Sequence, residues 1–239
     1  MASQGRVLVA VLAAGSASRM GASKLTAPFA GTTLLDLALK AARGSCADEI
    51  AVVTGFHRDE VLRVAARHPR VREVYNPDAA EGQASSVRRA VRACEELGCE
   101  ALVICVADQP FSGAPEIDKL IEAWRQRLAA PICAEGPEPP AAFLTECDGR
   151  TGYPCLFTRA CFPDLLTLTG DTGARTLFRA WGAERLARVP AATPHVFEDA
   201  DDPAAFERLA ARYSSALALR SASSASSSSV IDASESSMP

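Results

Sequence analysis

Short, almost wholly apolar runs alternate with longer amphipathic stretches over the first 135 residues, and this alternation limits the fold more than any other feature. The runs RVLVAVLA (6–13), EIAVVT (49–54), VREVY (71–75), ALVICVA (101–107) and APICAE (130–135) read as strands. Those at 6–13 and 101–107 are apolar at nearly every position, as central parallel strands covered on both faces must be. Between them, TLLDLALKAAR (33–43), RDEVLRVAARH (58–68), ASSVRRAVRACEEL (84–97) and EIDKLIEAWRQRL (116–128) read as helices. In the third, Val87, Val91 and Cys94 share one face while Arg88, Arg89, Arg92, Glu95 and Glu96 line the rest. The pattern predicts an α/β fold of three layers, a mostly parallel central sheet with helices on both faces. Ligands of such sheets bind beyond the carboxyl ends of the strands, so the residues just after each strand are the first place to look for chemistry.

The chain has 239 residues, enough for one sizeable core, and a single domain is expected over 1–220. After about residue 136 the rhythm breaks into a GPEPPAA loop, an irregular β excursion (AFLTECDGRTGYPCLF), a helix in DTGARTLFRAWG and a last helix in AAFERLAARYSSALAL. Residues 221–239 are serine-rich with almost nothing to bury, and a disordered tail is expected there. The net charge of −4 gives no general attraction to nucleic acid or to a membrane surface, so neither is an expected partner. No apolar stretch approaches the ~20 residues that span a bilayer. Eight cysteines form no CxxC pair and share no ligand spacing with the three histidines, which fits scattered thiols in a reducing cytoplasm.

The segment LAAGSASRMGASK (12–24) interrupts the first strand with small residues and two cations. It is not a P-loop, because Lys24 follows Ser23 and the fifth residue after Gly15 is Met20; it lacks the dinucleotide fingerprint, because Ala17 and Met20 stand where glycines are required. Asp36, at the distance of a ribose-binding acid, reads as the polar face of a helix. Small side chains let backbone N–H groups close on a polyphosphate, Arg19 can clamp its oxygens and Lys24 adds a compact charge. The loop is therefore read as an anion site at the end of strand one.

LAAGSASRMGASKLTAPFAGTTLLD resembles the signature of the MobA-like nucleotidyltransferases, with Leu12, Ala13, Ala14, Gly15, Ser18, Arg19, Met20, Gly21, Lys24 and Pro28 at its fixed positions. The likeness continues through NPDAAEGQASSVRRAV (76–91), VADQPF (106–111), GYPCLFTRACFPDLLTLTGDTGARTLF (152–178) and EDADDPAAFERL (198–209). Within the family, the ADQP and GYP segments are most similar to those of molybdenum cofactor cytidylyltransferases, although Tyr153 stands where a histidine is expected. The resemblance implies a Rossmann-like fold and transfer of CMP from CTP to the phosphate of a molybdopterin-type cofactor, with release of pyrophosphate and with Mg²⁺ as cofactor. It also implies a molybdoenzyme or its chaperone as a protein partner.

Residue by residue, the resemblance implies catalytic roles for Arg19, Lys24 and Asp108, and nucleotide contacts from Leu12, Ala13, Ala14, Gly15, Arg19, Lys24, Gly82, Ser85 and Ser86. Gln109, Tyr153 and Asp171 are expected at the acceptor, and Asp108 with Asp201 at the metal. Asp199 is the runner-up to Asp201, and Asp201 or Asp202 is alternatively the N-cap of the last helix, with Pro203 in its first turn. Ser85 and Ser86 either bond the nucleotide or cap their helix. Ala14 narrows the base pocket relative to the glycine of guanylyltransferase relatives, which favours CTP. Two alternatives stay open: a different small phosphorylated acceptor, and an NAD(P)-dependent oxidoreductase on a similar fold.

Overall fold

The computed structural model describes residues 5–16, 23–129 and 140–228, with side chains as far as 218. Arg19, the strand expected at 130–135 and residues 229–239 lie outside the described residues. The elements are β1 (Val7–Ala13), α1 (Leu34–Gly44), β2 (Glu49–Thr54), α2 (Arg58–Ala65), β3 (Val71–Tyr75), α3 (Gln83–Glu96), β4 (Ala101–Val106), α4 (Ala114–Ala129), β5 (Ala142–Cys147), β6 (Arg150–Thr158), α5 (Phe162–Leu166), β7 (Leu186–Pro190) and α6 (Pro203–Ser228).

The strands form one sheet in the order β3-β2-β1-β4-β6-β5-β7. Pairing is parallel throughout except where β6 runs antiparallel to β4 and β5. The pleat sends alternate residues of β1 into two cores. Val7, Val9 and Val11 meet α1, α2 and α4 on one face, while Leu8, Ala10 and Leu12 meet α3 on the other. Double coverage is why β1 and β4 are continuous apolar runs. α6 joins the first core through Phe206 and Leu209, with Phe206 edge-on to Phe29 at 5.2 Å between ring centroids. The chain steps from β1 outward to β2 and β3, and β4 then adds on the other side of β1. This reversal opens a crevice past the carboxyl ends of β1 and β4.

The irregular β excursion is the hairpin β5–β6, turned by Asp148 and Gly149, both at positive φ (51° and 75°), with a register shift between Leu144 and Thr145. Three expectations change. The helix expected in DTGARTLFRAWG is a 3₁₀ segment, Ala174–Arg179, between the glycines at 173 and 182. The backbone stays helical to Ser228, eight residues into the stretch expected to be disordered; helix already nucleated by α6 extends one hydrogen bond at a time through Ala222 and Ala225. Asp36 is buried rather than on a polar face. Its carboxylate accepts Thr32 Oγ1 at 2.6 Å, lies 2.9 Å from His68 Nε2 and pairs with Lys40 Nζ at 2.7 Å. Among the described residues, every cysteine is a free thiol, and no helix is long and apolar enough to cross a membrane.

Candidate functional site

Lys24, in the turn that follows the glycine-rich loop, reaches across the crevice to the turn after β4. Its Nζ donates to Asp108 Oδ2 at 2.8 Å and to Ala200 O at 3.2 Å, and lies 3.4 Å from Asp201 Oδ1. The Ala200 N–H donates back to Asp108 O at 3.2 Å, so the acidic segment is fastened to the end of β4 from both sides. Burial works against the Lys24 ammonium, but Asp108 and Asp201 outweigh it and hold its pKa above the usual lysine value. Asp199 shifts up as well, first through burial and then through the charges of Asp201 and Asp108. Asp202 takes the capping role, its Oδ1 accepting Ala205 N–H at 2.7 Å, which leaves Asp201 free to face Lys24. Glu198 points elsewhere, to His195 and Arg212.

Two clefts meet at Asp108. The first, of about 610 Å³, is bounded by Leu12, Ala14 and Gly15 at the end of β1, Lys24, Gly82 and Ser86 at the start of α3, and Asp171. The second, of about 760 Å³, runs past Gln109, Thr151, Tyr153, Arg175 and Arg179 to Asp199. Gln83, Val106 and Asp108 line both.

The pocket wall depends on two close approaches. Gly82 has φ +102°, and a Cβ there would sit 2.5 Å from Gly170 O. The bare backbone lets the 170 loop dock on the start of α3, where Ala84 N–H donates to Gly170 O at 3.1 Å and Gln83 N–H to Asp171 Oδ1 at 3.3 Å. At Gly55 a Cβ would meet Ala14 O at 2.6 Å, so the end of β2 presses directly on the loop after β1.

The residues anticipated from sequence divide cleanly. Leu12, Ala14, Gly15, Lys24, Gly82 and Ser86 line the first cleft, and Gln109 and Tyr153 line the second. Ala13 faces the opposite core, since β1 alternates. Ser85 is buried: its hydroxyl donates to Gly82 O at 2.8 Å and accepts from Asn76 Nδ2 at 2.8 Å, fixing the turn before α3 instead of facing the cleft. Asp171, expected at the acceptor, lines the first cleft because the 170 loop folds over α3. Gln83, Thr151, Arg175, Arg179 and the half-exposed Phe56 were not singled out from the sequence. Of these, Arg175 sits in the GDTGAR run whose likeness to the family was the available signal.

The acids fit a hard divalent cation. Among the described residues no group of three or more His, Cys, Asp or Glu side chains is placed to hold a metal. Asp108 and Asp201, both facing Lys24, offer two carboxylates, a donor number that would suit Mg²⁺, which takes phosphate oxygens and water for the rest of its shell.

A family model described as MobA-like NTP transferase domain matches residues 9–189. The purine catabolism protein PucB of Bacillus subtilis is 29% identical over 202 residues, 82% of this chain and 92% of that protein. The molybdenum cofactor cytidylyltransferase of Escherichia coli is 28% identical over 165 residues, covering 69% and 77%. Among solved structures, the Rv0371c homolog from Mycobacterium sp. strain JC1 superposes with TM-score 0.71 at 30% identity, over 87% of this chain and 96% of that one. Rv0371c of Mycobacterium tuberculosis, solved as a complex with manganese, aligns with TM-score 0.65 at 22% identity over 85% of this chain and 97% of that one.

Proposed function

This chain belongs to the MobA-like NTP transferase family, and on that footing we propose that it transfers CMP from CTP to the phosphate of a molybdopterin-type cofactor, releasing pyrophosphate. The observation that carries the reading is the position of Asp108, bonded to Lys24 on the wall that the two clefts share. A nucleotide in the first cleft and an acceptor in the second would bring α-phosphorus and acceptor phosphate together beside it.

The reaction breaks the bond between the α-phosphorus and pyrophosphate as an acceptor phosphate oxygen bonds to that phosphorus. The acceptor is already an anion, so no general base is needed, and catalysis rests on positioning and neutralisation of charge. Lys24 supplies a cation at the phosphate end of the first cleft. Ala14, 4% exposed and pressed against Gly55, sets the width of the pocket floor and suits a pyrimidine. Asp108 and Asp201 would hold Mg²⁺, which when bound neutralises phosphate oxygens. Arg19, through the resemblance in its loop, adds a second cation to the phosphates. The product would pass to a molybdoenzyme or its chaperone in the cytoplasm.

The longer match to PucB favours a second reading, in which the same transfer serves a different small phosphorylated acceptor. Incubation with each NTP in turn, Mg²⁺ and molybdopterin separates them: pyrophosphate released with CTP and molybdopterin is expected. Release that ignores molybdopterin, or that prefers GTP or ATP, overturns the proposal.

A further inference from the structure

The 3₁₀ segment Ala174–Arg179 presents two guanidinium groups, Arg175 and Arg179, to the second cleft. Six arginines outside this cleft, Arg6, Arg58, Arg72, Arg88, Arg125 and Arg212, each pair with a carboxylate. Among the described residues neither Arg175 nor Arg179 has an ion pair or a side-chain hydrogen bond. Two like charges four residues apart repel, and in a chain of net charge −4 the nearest carboxylates would ordinarily answer them. Here the carboxylates of the same cleft, Asp108 and Asp199, face Lys24 and the acidic segment instead.

The segment is aimed, not loose. Tyr153 Oη accepts the Ala174 N–H at 3.1 Å, and Tyr153 is only 6% exposed, so the residue before Arg175 is locked to the cleft wall. Gly173 lies so close to Gln83 Oε1 (2.6 Å from a Cβ built there) and to Tyr153 Oη (3.0 Å) that any side chain would push the segment away. The Arg175 charge is felt at the buried Tyr153 hydroxyl, where it opposes the upward shift that burial imposes. On the facing wall, the Gln109 Oε1 atom is buried with no partner among the described residues. A buried acceptor oxygen stays unsatisfied until a donor reaches it.

We propose that Arg175 and Arg179 form an anion-binding subsite in the second cleft that selects acceptors carrying a phosphomonoester, with Gln109 Oε1 taking an N–H or O–H of the same molecule. Arginine suits the task, because its planar fork bonds two phosphate oxygens at once. The inference rests on the reading of Asp108 as the point of transfer, and it adds the residues that choose the second substrate. Both arginines are exposed and exert their effect on acceptor binding, so their loss raises the acceptor KM more than it lowers kcat.

The test is a calorimetric titration with inorganic phosphate of the wild-type protein, Arg175→Gln, Arg179→Gln, Arg175→Lys and, as control, Arg188→Gln on β7, with molybdopterin-dependent pyrophosphate release measured in parallel. Melting temperatures establish that each variant is folded. The expected result is phosphate affinity at least tenfold weaker in both glutamine variants, partly restored in Arg175→Lys, and unchanged in Arg188→Gln. Phosphate binding equal in wild type and both glutamine variants, or absent from wild type, overturns the subsite. Arginine-dependent phosphate binding without molybdopterin-dependent release leaves the subsite standing and removes molybdopterin as the acceptor.

Discussion

Replacing Lys24 by alanine tests the heart of the site, because one side chain holds the two acidic turns together before any ligand arrives. At the 2.8 Å separation from Asp108 the gross Coulomb attraction is ~6 kcal/mol at an effective dielectric constant of about 20. Most of that is offset by desolvation of the two groups. Exposed pairs net roughly 0.2–1 kcal/mol, and losing one partner of a fully buried pair costs about 3–5 kcal/mol. The Lys24 and Asp108 side chains are 17% and 24% exposed, between those cases, while Asp201 at 59% is screened by water. A loss of ~2 kcal/mol follows, which for a chain of this size lowers the melting temperature by roughly 4–8 °C. Because the Lys24 pKa is raised, the stabilisation is full below the unfolded-state value and is lost only as pH rises through the folded value above 10.5. The difference between wild type and variant therefore stays constant from pH 6 to pH 9. Scanning calorimetry with and without CTP reads both effects, and the CTP-induced shift should fall as affinity drops roughly 10- to 100-fold. A variant that melts with wild type, or keeps the full CTP response, refutes the assignment of Lys24 to the phosphates.

Two further outcomes follow from the scaffold. Burial works to raise the Asp36 pKa, but bonds from Lys40, Thr32 and His68 bring it down to about 2. Its stabilisation is complete above the unfolded value of 3.8 and is lost as pH falls toward 2, so Asp36→Asn should cost about 2 kcal/mol at neutral pH and flatten the acid limb of the stability profile, as urea melts across pH would show. An acid limb of unchanged steepness would contradict it. Gly82→Ala should destabilise by ~2 kcal/mol or more and weaken CTP binding, since a methyl group at φ +102° would strike the Gly170 carbonyl that shapes the first cleft; a variant with wild-type stability would show that the 170 loop yields easily.

β1 and β4 were the most legible strands, because parallel strands buried on both faces must be apolar at both parities. The carboxyl ends of those strands then pointed to Lys24 and Asp108 before any geometry was known. The second half of the sheet was harder to read. β5 and β6 alternate irregularly, their register shifts between Leu144 and Thr145, and the Asp148–Gly149 pair was the turn signal that the segment did contain. The acceptor wall was largely invisible for a different reason. Arg175 and Arg179 sit on a short 3₁₀ segment, and Gln83 and Thr151 at the starts of α3 and β6, where polar residues follow no period. Asp171 went to the wrong cleft because its place depends on Gly82 and Gly170 approaching across 88 residues of chain. Ser85 looked like a ligand contact, but its hydroxyl closes the Asn76–Gly82 turn.

The central claim is that nucleotidyl transfer occurs at Asp108, where the two clefts meet. The most direct measurement is single-turnover pyrophosphate release from CTP and molybdopterin in the presence of Mg²⁺, wild type against Asp108→Asn. The amide preserves shape and hydrogen bonding while removing the charge. The account predicts a folded variant with a melting temperature within a few degrees of wild type and a rate lower by roughly 100- to 1,000-fold or more. Release at the wild-type rate from a folded Asp108→Asn protein would place the chemistry elsewhere and contradict the account.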